Sequence, residues 1–489
     1  MPLRPLFCEP GIHQDSFLYH VNDGFYYTWN GGNDSSIWFR CSIRSCNGTA
    51  ILRADDGFYH RQPHNHAAEP LRHNMQAIRR TIINRASAVR YVSFADIVEE
   101  ERRRVPDRNI RAQLTYRRLR SAMQRARSDI YPNIPASLQQ LTITLENPQW
   151  AHLTRTLDNS ESVYCCSVTA DDGSHSVIFT SRRCLEILKA CEIIFLDGTF
   201  KITPAIDGCY QVFTIVTVES HTVLPLVWCL MDSKSESAYI SVLLQIRARI
   251  IGWTFRLAIS DYEDAIINAV EAVFAVEVQG CYFHFVQALG SWSRSNITLE
   301  VLNTFPELLD VIRRCCALPL LPQNLLQRGM NVIVTHAQNG HALMYQHILP
   351  FLMYVQWDWL GHVNRGRTLS VSGSDHRTNN ASESNNSRMG RRIQVAHPNI
   401  FNFLNSIAEF EDATIDDKSS LARGLIPHRH RTRSTVRNDA FIQSLVSQFQ
   451  EIAYPTDNEI LHFLNSASFA CRNVMYDAMD ILIPGRQAE

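Results

Sequence analysis

Residues 192–200 read EIIFLDGTF, an apolar run that follows Glu192 and has one acidic side chain, Asp197, inside it. The length of the run and its β-branched and aromatic residues predict a buried β-strand. A carboxylate within such a strand costs free energy unless it binds a metal ion or a polar partner. The stretch therefore predicts both the centre of a sheet and a candidate functional residue.

The surrounding sequence predicts the rest of that domain. A hairpin is indicated at 163–180, where two alternating runs flank a DDGS turn. Further elements are predicted as strands at 210–219, 222–231, 255–260 and 277–283 and helices at 235–250, 264–274 and 398–410. Three antiparallel strands followed by alternating helices and strands form the order of a ribonuclease-H-like domain. Residues 286–370 are helical without alternation, which indicates an all-α insertion.

Two further acids follow the same logic as Asp197. Asp261 ends a predicted strand, and the carboxyl ends of parallel strands meet at a site-forming edge. Glu383 opens a predicted helix within the polar stretch 372–387. Three carboxylates can hold two Mg²⁺ or Mn²⁺ ions for phosphodiester chemistry. Taken singly, Asp197 could belong to a turn and Glu383 could be an ordinary helix-start charge.

Four motifs carry a family resemblance: FLDGTFK at 195–201, SDYEDA at 260–265, CYFHF at 281–285 and TNNASES at 378–384. In this order they resemble the transposase domain of Mutator-like elements, the MULE family of DDE transposases. The resemblance implies that Asp197, Asp261 and Glu383 are catalytic and bind magnesium. Cys281 and His284 form a C-x2-H motif to which we assign an accessory positioning role. The alternative for that motif is a buried cysteine beside a hydrogen-bonded core histidine.

The first 70 residues have a different character, with short aromatic and alternating runs that predict a small β-rich module. Cys41, Cys46, His64 and His66 together make a Cys2His2 set, which suits tetrahedral zinc. An H-x-H pair works on extended chain because alternate side chains share a face. The alternative is two buried cysteines and a surface histidine cluster. The other nearby histidines are interpreted as surface residues: His13, His20 and His60.

The same segment resembles a FLYWCH-type zinc finger. The matching elements are FLY at 17–19, the tyrosine pair at 26–27, WFRC at 38–41, and HNH at 64–66. This resemblance implies a zinc-bound module that binds DNA or a protein partner.

The net charge of −1 conceals a basic segment. The whole chain has 47 basic and 48 acidic residues, whereas residues 71–130 have 15 arginines and 6 acidic residues. Helices are predicted at 75–88, 94–104 and 109–127, consistent with a helix-turn-helix-like module. The alternative is a solvated linker helix. Candidate DNA-binding residues are Arg111, Arg117, Arg118, Arg120, Arg125 and Arg127.

Composition excludes several other classes of protein. The chain has 489 residues, of which 45% are hydrophobic, and this excludes disordered, collagen-like and coiled-coil chains. No apolar run approaches the roughly 20 residues of a membrane span. We expect no secretory signal, since the first residues lack an apolar core. The 13 cysteines are therefore expected to be reduced or metal-bound.

We therefore predict a multidomain α/β protein with a small zinc-bound β module, a basic helical segment and a ribonuclease-H-like catalytic core interrupted by an all-α insertion. The predicted divisions are 1–70 (zinc finger), 71–135 (basic helices), 136–190 (hairpin and linker), 191–285 (first part of the core), 286–370 (insertion), 371–412 (final part of the core with Glu383) and 413–489 (a poorly organised tail). The resemblances imply structural Zn²⁺ and catalytic Mg²⁺ or Mn²⁺.

As a function we predict a DNA transposase that binds double-stranded transposon ends and target DNA, cleaves and joins strands, and works in the nucleus. Coordinated cutting of two ends predicts a homodimer or a higher assembly. The alternatives are a domesticated DNA-binding transcriptional regulator without catalysis, and a nuclease that does not transfer strands.

Overall fold

The computed structural model describes residues 6–11, 16–53, 57–88, 92–128, 130–364, 367–425 and 433–481. The chain divides into two compact units, Met1–Asn133 and Ile134–Glu489. Among the described residues, no helix combines the length and the apolar character that crossing a membrane requires.

The N-terminal unit begins with a six-stranded antiparallel sheet whose strands are neighbours in chain order. The strands are β1 (Phe7–Pro10), β2 (Phe17–His20), β3 (Tyr27–Asn33), β4 (Ser36–Cys41), β5 (Thr49–Arg53) and β6 (Phe58–Gln62). Tyr27, Phe39 and Ala50 are the buried centre of one face. The β-rich character predicted for this segment is confirmed.

Four helices complete the unit: α1 (Arg72–Ala88), α2 (Phe94–Arg104), α3 (Arg108–Gln113) and α4 (Tyr116–Ser128). The single helix predicted over 109–127 is wrong, because the chain leaves the helical conformation at Leu114 (φ −85°, ψ 79°). Leu114 is fully buried in one core with Ile110 and Leu119. The break lets two short helices direct their apolar residues into that shared core.

The C-terminal unit is built on a seven-stranded mixed sheet. Its strands are β7 (Tyr164–Thr169), β8 (His175–Phe179), β9 (Ile193–Thr199), β10 (Gln211–Glu219), β11 (Thr222–Met231), β12 (Leu257–Ser260) and β13 (Val278–Gly280). They lie in the order β13-β12-β9-β10-β11-β8-β7. Strands β9, β10 and β11 are antiparallel, whereas β12 pairs parallel to both β9 and β13. The predicted hairpin forms the β7 edge of this same sheet.

Fifteen helices of the C-terminal unit lie within its described residues: α5 (Leu138–Glu146), α6 (Arg182–Lys189), α7 (Glu236–Arg249), α8 (Asp264–Phe274), α9 (Tyr282–Asn296), α10 (Leu299–Thr304), α11 (Leu308–Ala317), α12 (Leu326–Gln338), α13 (Ala342–Tyr354), α14 (Leu360–Asn364), α15 (Asn380–Ile393), α16 (Ile400–Ala422), α17 (Arg433–Gln450), α18 (Asp457–Ala467) and α19 (Arg472–Met479). Helices α7 and α8 pack on one face of the sheet. Helix α15 packs on the other, where Ala381 meets Phe195, Val216 and Ile259.

Two predictions about this unit are corrected. The strand predicted at 277–283 is too long, because β13 ends at Gly280 and Cys281 is the N-cap of α9. The poorly organised tail predicted beyond residue 413 is also wrong, since α16 continues to Ala422 and α17–α19 follow. Ile442, Phe463 and Met475 are buried in the core of the helical insertion. The sequence does carry a signal for α18, because its buried residues Ile460, Phe463, Leu464 and Ala467 follow helical spacing after a capping box at Thr456 and Glu459.

Candidate active site and candidate metal centre

The four residues predicted to bind zinc come together in the N-terminal unit. Cys41 ends β4, Cys46 lies in the following turn, and His64 and His66 follow β6. One donor atom from each lies within 4.8 Å of the other three. Sγ of Cys41 is 3.3 Å from Nε2 of His66, Sγ of Cys46 is 3.4 Å from Nδ1 of His64, and the two histidine nitrogens are 3.2 Å apart.

These separations fit a tetrahedral ion. Zinc–ligand bonds of roughly 2.0–2.3 Å place the ligand atoms of a tetrahedron about 3.3–3.8 Å apart. The donor set of two thiolates and two imidazoles is also the chemistry that zinc prefers. The cluster is therefore compatible with structural zinc, held by Nδ1 of His64 and Nε2 of His66.

A hydrogen-bonded network lies behind the His64 ligand. The Tyr27 hydroxyl is 2.7 Å from Nε2 of His64 and 2.5 Å from Nδ1 of His60. Nε2 of His60 is in turn 2.9 Å from a carboxylate oxygen of Asp23. Such outer partners fix the tautomer and the orientation of a metal-binding imidazole. The interpretation of His60 as a plain surface residue therefore missed this network, because Tyr27 and His60 are distant in sequence.

His20 and His13 are also interpreted as surface residues from the sequence. His20 is buried and its ring is stacked 5.2 Å from that of His73, so the interpretation is wrong there. His13 lies outside the described residues.

Replacing Tyr27 by phenylalanine should lower zinc affinity by about 10- to 100-fold, because His64 loses the group that orients it. Competition with a chromophoric chelator measures this affinity. The matched control is Tyr59→Phe in the same sheet, which should leave it unchanged. Equal affinities for Tyr27→Phe and the unmodified protein would show that the network does not support the metal.

The three predicted catalytic acids lie toward the carboxyl ends of β9 and β12, two neighbouring strands inside the larger sheet. Asp197 is on β9, and Asp261 follows β12 directly. Leu196 pairs with Ser260 in this parallel register, so the next residue on each strand is an aspartate. Glu383 lies in the first turn of α15, which crosses the same face. The fold thus places the three acids together.

The accessory pair lies among these acids. Nδ1 of His284 is 2.9 Å from Oδ1 of Asp261, and its Nε2 is 3.6 Å from Oε1 of Glu383. Hydrogen bonding to Asp261 raises the pKa of His284 to about 10. Donor atoms of Asp261, Cys281 and His284 lie within 4.8 Å of one another, and the Cys281 sulfur accepts a hydrogen bond from the Asn379 backbone N–H at 3.2 Å. The imidazolium is thus a cation between two carboxylates.

Burial raises the proton affinity of two of the acids, Asp197 and Glu383. Burial, followed by the charge of Asp261, raises the pKa of Asp197 to about 7. Burial also raises the pKa of Glu383. A divalent cation would relieve both the desolvation and the mutual repulsion, and carboxylate oxygens are the ligands that Mg²⁺ and Mn²⁺ prefer. The carboxylate oxygens thus have the chemistry of a Mg²⁺ or Mn²⁺ site. Among the described residues here, the donor atoms within 4.8 Å of one another are those of Asp261, Cys281 and His284.

Two asparagines that the sequence analysis did not assign hold these acids in place. Nδ2 of Asn386 donates to Oδ2 of Asp197 at 2.6 Å. Nδ2 of Asn379, which is fully buried, lies 3.2 Å from Oδ1 of Asp261 and 3.1 Å from the Leu196 carbonyl oxygen. The two asparagines lie four residues before and three after Glu383. That spacing puts all three on one helical face, and it is the signal that could have found them.

Residues 193–288 match the MULE transposase domain. No curated protein matches the chain. The MULE transposase domain match contains Asp197, Asp261, Cys281 and His284, whereas Glu383 and the N-terminal unit lie outside it. The match supports the Mutator-like resemblance and indicates a transposase-class function. The FLYWCH-type interpretation of the N-terminal module stays a prediction.

The six arginines predicted to bind DNA lie in the N-terminal unit and fall into two groups. Four lie exposed on α4: Arg117, Arg118, Arg120 and Arg125. Arg111 instead donates to the Val105 carbonyl oxygen at 2.6 Å. Arg127 donates to the Ala86 carbonyl oxygen at 2.9 Å and lies 4.0 Å from the ring centroid of Phe94. Arg111 and Arg127 therefore stabilise the packing of the helices in this unit.

The raised pKa of Asp197 predicts that Asp197→Asn gains stability over the unmodified protein as pH rises. Folding disfavours the ionised acid, so the unmodified protein loses stability as pH rises from the unfolded pKa, roughly 3.9, to the folded pKa of about 7. The variant should therefore be more stable, and its advantage should widen by about 2–3 kcal/mol between pH 5 and pH 8. Denaturant unfolding without divalent cations other than zinc measures this. A difference in unfolding free energy between the two proteins that stays constant from pH 5 to pH 8 would contradict the raised pKa of Asp197.

Proposed function

We propose that this protein is a DNA transposase of the Mutator-like class, which cleaves a phosphodiester at a transposon end and joins the freed 3′-OH to target DNA. The observation that carries the proposal is the grouping of Asp197, Asp261 and Glu383, in which the pKa of Asp197 is raised to about 7. The two strands that position the aspartates, β9 and β12, lie within the segment that matches the MULE transposase domain.

The catalytic roles follow from the donor atoms. Asp197, Asp261 and Glu383 would hold Mg²⁺ or Mn²⁺, which when bound activates the attacking water or hydroxyl and stabilises the leaving oxygen. Asn386 orients the Asp197 carboxylate and Asn379 orients that of Asp261. His284 balances the charge of Asp261 and Glu383 before the ions bind. Water and the 3′-OH are the nucleophiles, so the chain supplies none.

DNA binding is assigned to the N-terminal unit. The exposed arginines of α4 suit phosphate contacts with duplex DNA, which position the protein without reading base sequence. The Cys2His2 cluster would stabilise the adjoining sheet. We further propose that the protein acts in the nucleus as a dimer or larger assembly, because two transposon ends must be cut together.

Replacing Arg117, Arg118 and Arg120 together by alanine should weaken duplex binding and make it less sensitive to salt. Three lost phosphate contacts lower the slope of log K against log[salt] by about 2.7. Titrations at several salt concentrations measure the slope. The control is Arg103→Ala with Arg104→Ala, whose guanidinium groups pair with Glu99 and Glu101. An unchanged slope in the triple variant would remove α4 from the proposed interface.

Incubating the purified full-length protein with DNA carrying the inverted repeats that flank its gene tests the proposed reaction. We expect a nick with a 3′-OH at the repeat end, dependent on Mg²⁺ or Mn²⁺, and strand transfer into added target DNA. Cleavage without transfer would indicate a nuclease. Specific binding with no cleavage would indicate the domesticated regulator.

A further inference from the structure

On the face opposite its buried centre, the N-terminal sheet carries two partly exposed aromatic side chains, Trp38 and Tyr59, on either side of the buried Ile51. Trp38 on β4 pairs with Ile51 on β5, and Ile51 pairs with Tyr59 on β6, so the three side chains lie side by side. Phe39, the next residue after Trp38, points to the buried face. Trp38 is 37% exposed and Tyr59 is 52% exposed. We call this row and its flanking residues the outer aromatic face.

Both rings of the outer aromatic face lie over glycines. A Cβ atom on Gly31 would lie 3.4 Å from Cε3 of the Trp38 ring. A Cβ atom on Gly57 would lie 2.3 Å from the Tyr59 ring, so no larger residue fits beneath it. Both rings therefore lie against backbone and stay partly exposed. Flat rings presented in this way suit stacking better than insertion into a pocket.

Two arginines lie beside the rings. The guanidinium of Arg53 lies 5.7 Å from the ring centroid of Tyr59. Arg40 lies two residues after Trp38 on the same face and is exposed. Strands β4, β5 and β6 contain one arginine each, Arg40, Arg53 and Arg61, and no aspartate or glutamate. The acids next to these strands in sequence are Asp34, which is exposed after β3, and Asp55 and Asp56, which lie outside the described residues. The outer aromatic face thus combines ring faces with cations that complement phosphate.

We propose that the outer aromatic face binds single-stranded DNA, with bases stacked on Trp38 and Tyr59 and phosphates near Arg40 and Arg53. Aromatic platforms flanked by arginines bind unpaired strands of any sequence, because every base has a π-face. In duplex DNA those π-faces are covered by neighbouring base pairs. The choice of DNA as the partner rests on the proposed transposase function, and the site is separate from the arginines of α4.

Fluorescence anisotropy of a labelled 15-nucleotide oligothymidylate, titrated with zinc-loaded full-length protein, tests this proposal. Trp38→Ala and Tyr59→Ala should each weaken binding by about 5- to 150-fold, whereas Trp38→Phe keeps a stacking ring and should stay close to the unmodified protein. The matched control is Trp29→Ala. Trp29 pairs with Phe39 on the other face and is 64% exposed, so its loss should have no effect.

Several outcomes would overturn the proposal. They are absence of oligothymidylate binding by the unmodified protein, full affinity in both Trp38→Ala and Tyr59→Ala, and an equal loss in Trp29→Ala. Self-association abolished by Trp38→Ala, without oligonucleotide binding, would assign the face to a second copy of the chain. If Trp38→Ala lowers the zinc content, Tyr59→Ala and Arg53→Ala decide. Repeat-end cleavage is measured separately, so its absence would count against the transposase function and not against this site.

Discussion

Replacing Asp197, Asp261 or Glu383 by alanine should reduce metal-dependent cleavage of repeat-end DNA by about 10³-fold or more. Each substitution removes an oxygen donor from the group proposed to hold the ions, whose stabilisation of transition-state charge amounts to several kcal/mol. Single-turnover cleavage measured by gel, at saturating protein, gives the chemical rate free of binding. Binding of the uncut duplex should stay the same, because the arginines of α4 are unchanged.

The matched control for these variants is Asp264→Asn. Asp264 lies three residues beyond Asp261, at the start of α8, and its side chain is 67% exposed. We expect cleavage at the unmodified rate. Cleavage at the unmodified rate in Asp197→Ala and in Glu383→Ala would show that these residues are not the catalytic acids.

Replacing Cys41 by serine should unfold the N-terminal unit. Structural zinc contributes about 10–16 kcal/mol of binding free energy, which is comparable to or larger than the net stability of a typical domain, about 5–15 kcal/mol. Loss of one thiolate, or removal of zinc with a strong chelator, should therefore abolish the unfolding transition of this unit. Scanning calorimetry and zinc content per chain measure both effects, and the C-terminal transition should stay.

The control for the zinc variant is Cys8→Ser, which replaces an exposed cysteine in the same sheet. It should retain one zinc ion per chain and both transitions. A Cys41→Ser protein that keeps its zinc and its N-terminal transition would contradict the assignment of Cys41 as a ligand.

Local sequence signals were sufficient where they agreed with tertiary packing. The helix at Phe94–Arg104 and the strand at Thr222–Met231 match their predicted bounds, because caps, turns and apolar runs define both ends. The break at Leu114 and the end of β13 at Gly280 depend on which side chains reach a shared core. Spacing alone does not report that choice.

In the candidate site, too, some residues could be predicted from local sequence and others depend on tertiary packing. Asp197 is conspicuous as a charge on an apolar strand, and the Cys2His2 set is conspicuous by its ligand types and spacing. Glu383 lies in a polar stretch and is identified through the resemblance of its motif to the MULE family. Asn379, Asn386 and Tyr27 are uncharged and act through hydrogen bonds across long sequence separations. Their roles depend on the relative placement of β9, β12 and α15 or of β3 and β6. The spacing of Asn379 and Asn386 about Glu383 indicates a shared helical face, but a single sequence does not show which acid each asparagine contacts.

The central claim is that Asp197, Asp261 and Glu383 form one site for divalent cations, and Mn²⁺ binding followed by electron paramagnetic resonance tests it most directly. Zinc-loaded full-length protein, bound to nicked repeat-end DNA at pH 8, is titrated with Mn²⁺. We predict tight sites in the unmodified protein and in Asp264→Asn, and their loss in Asp197→Asn and Asp261→Asn. Equal numbers of sites and equal affinities in all four proteins would contradict the claim.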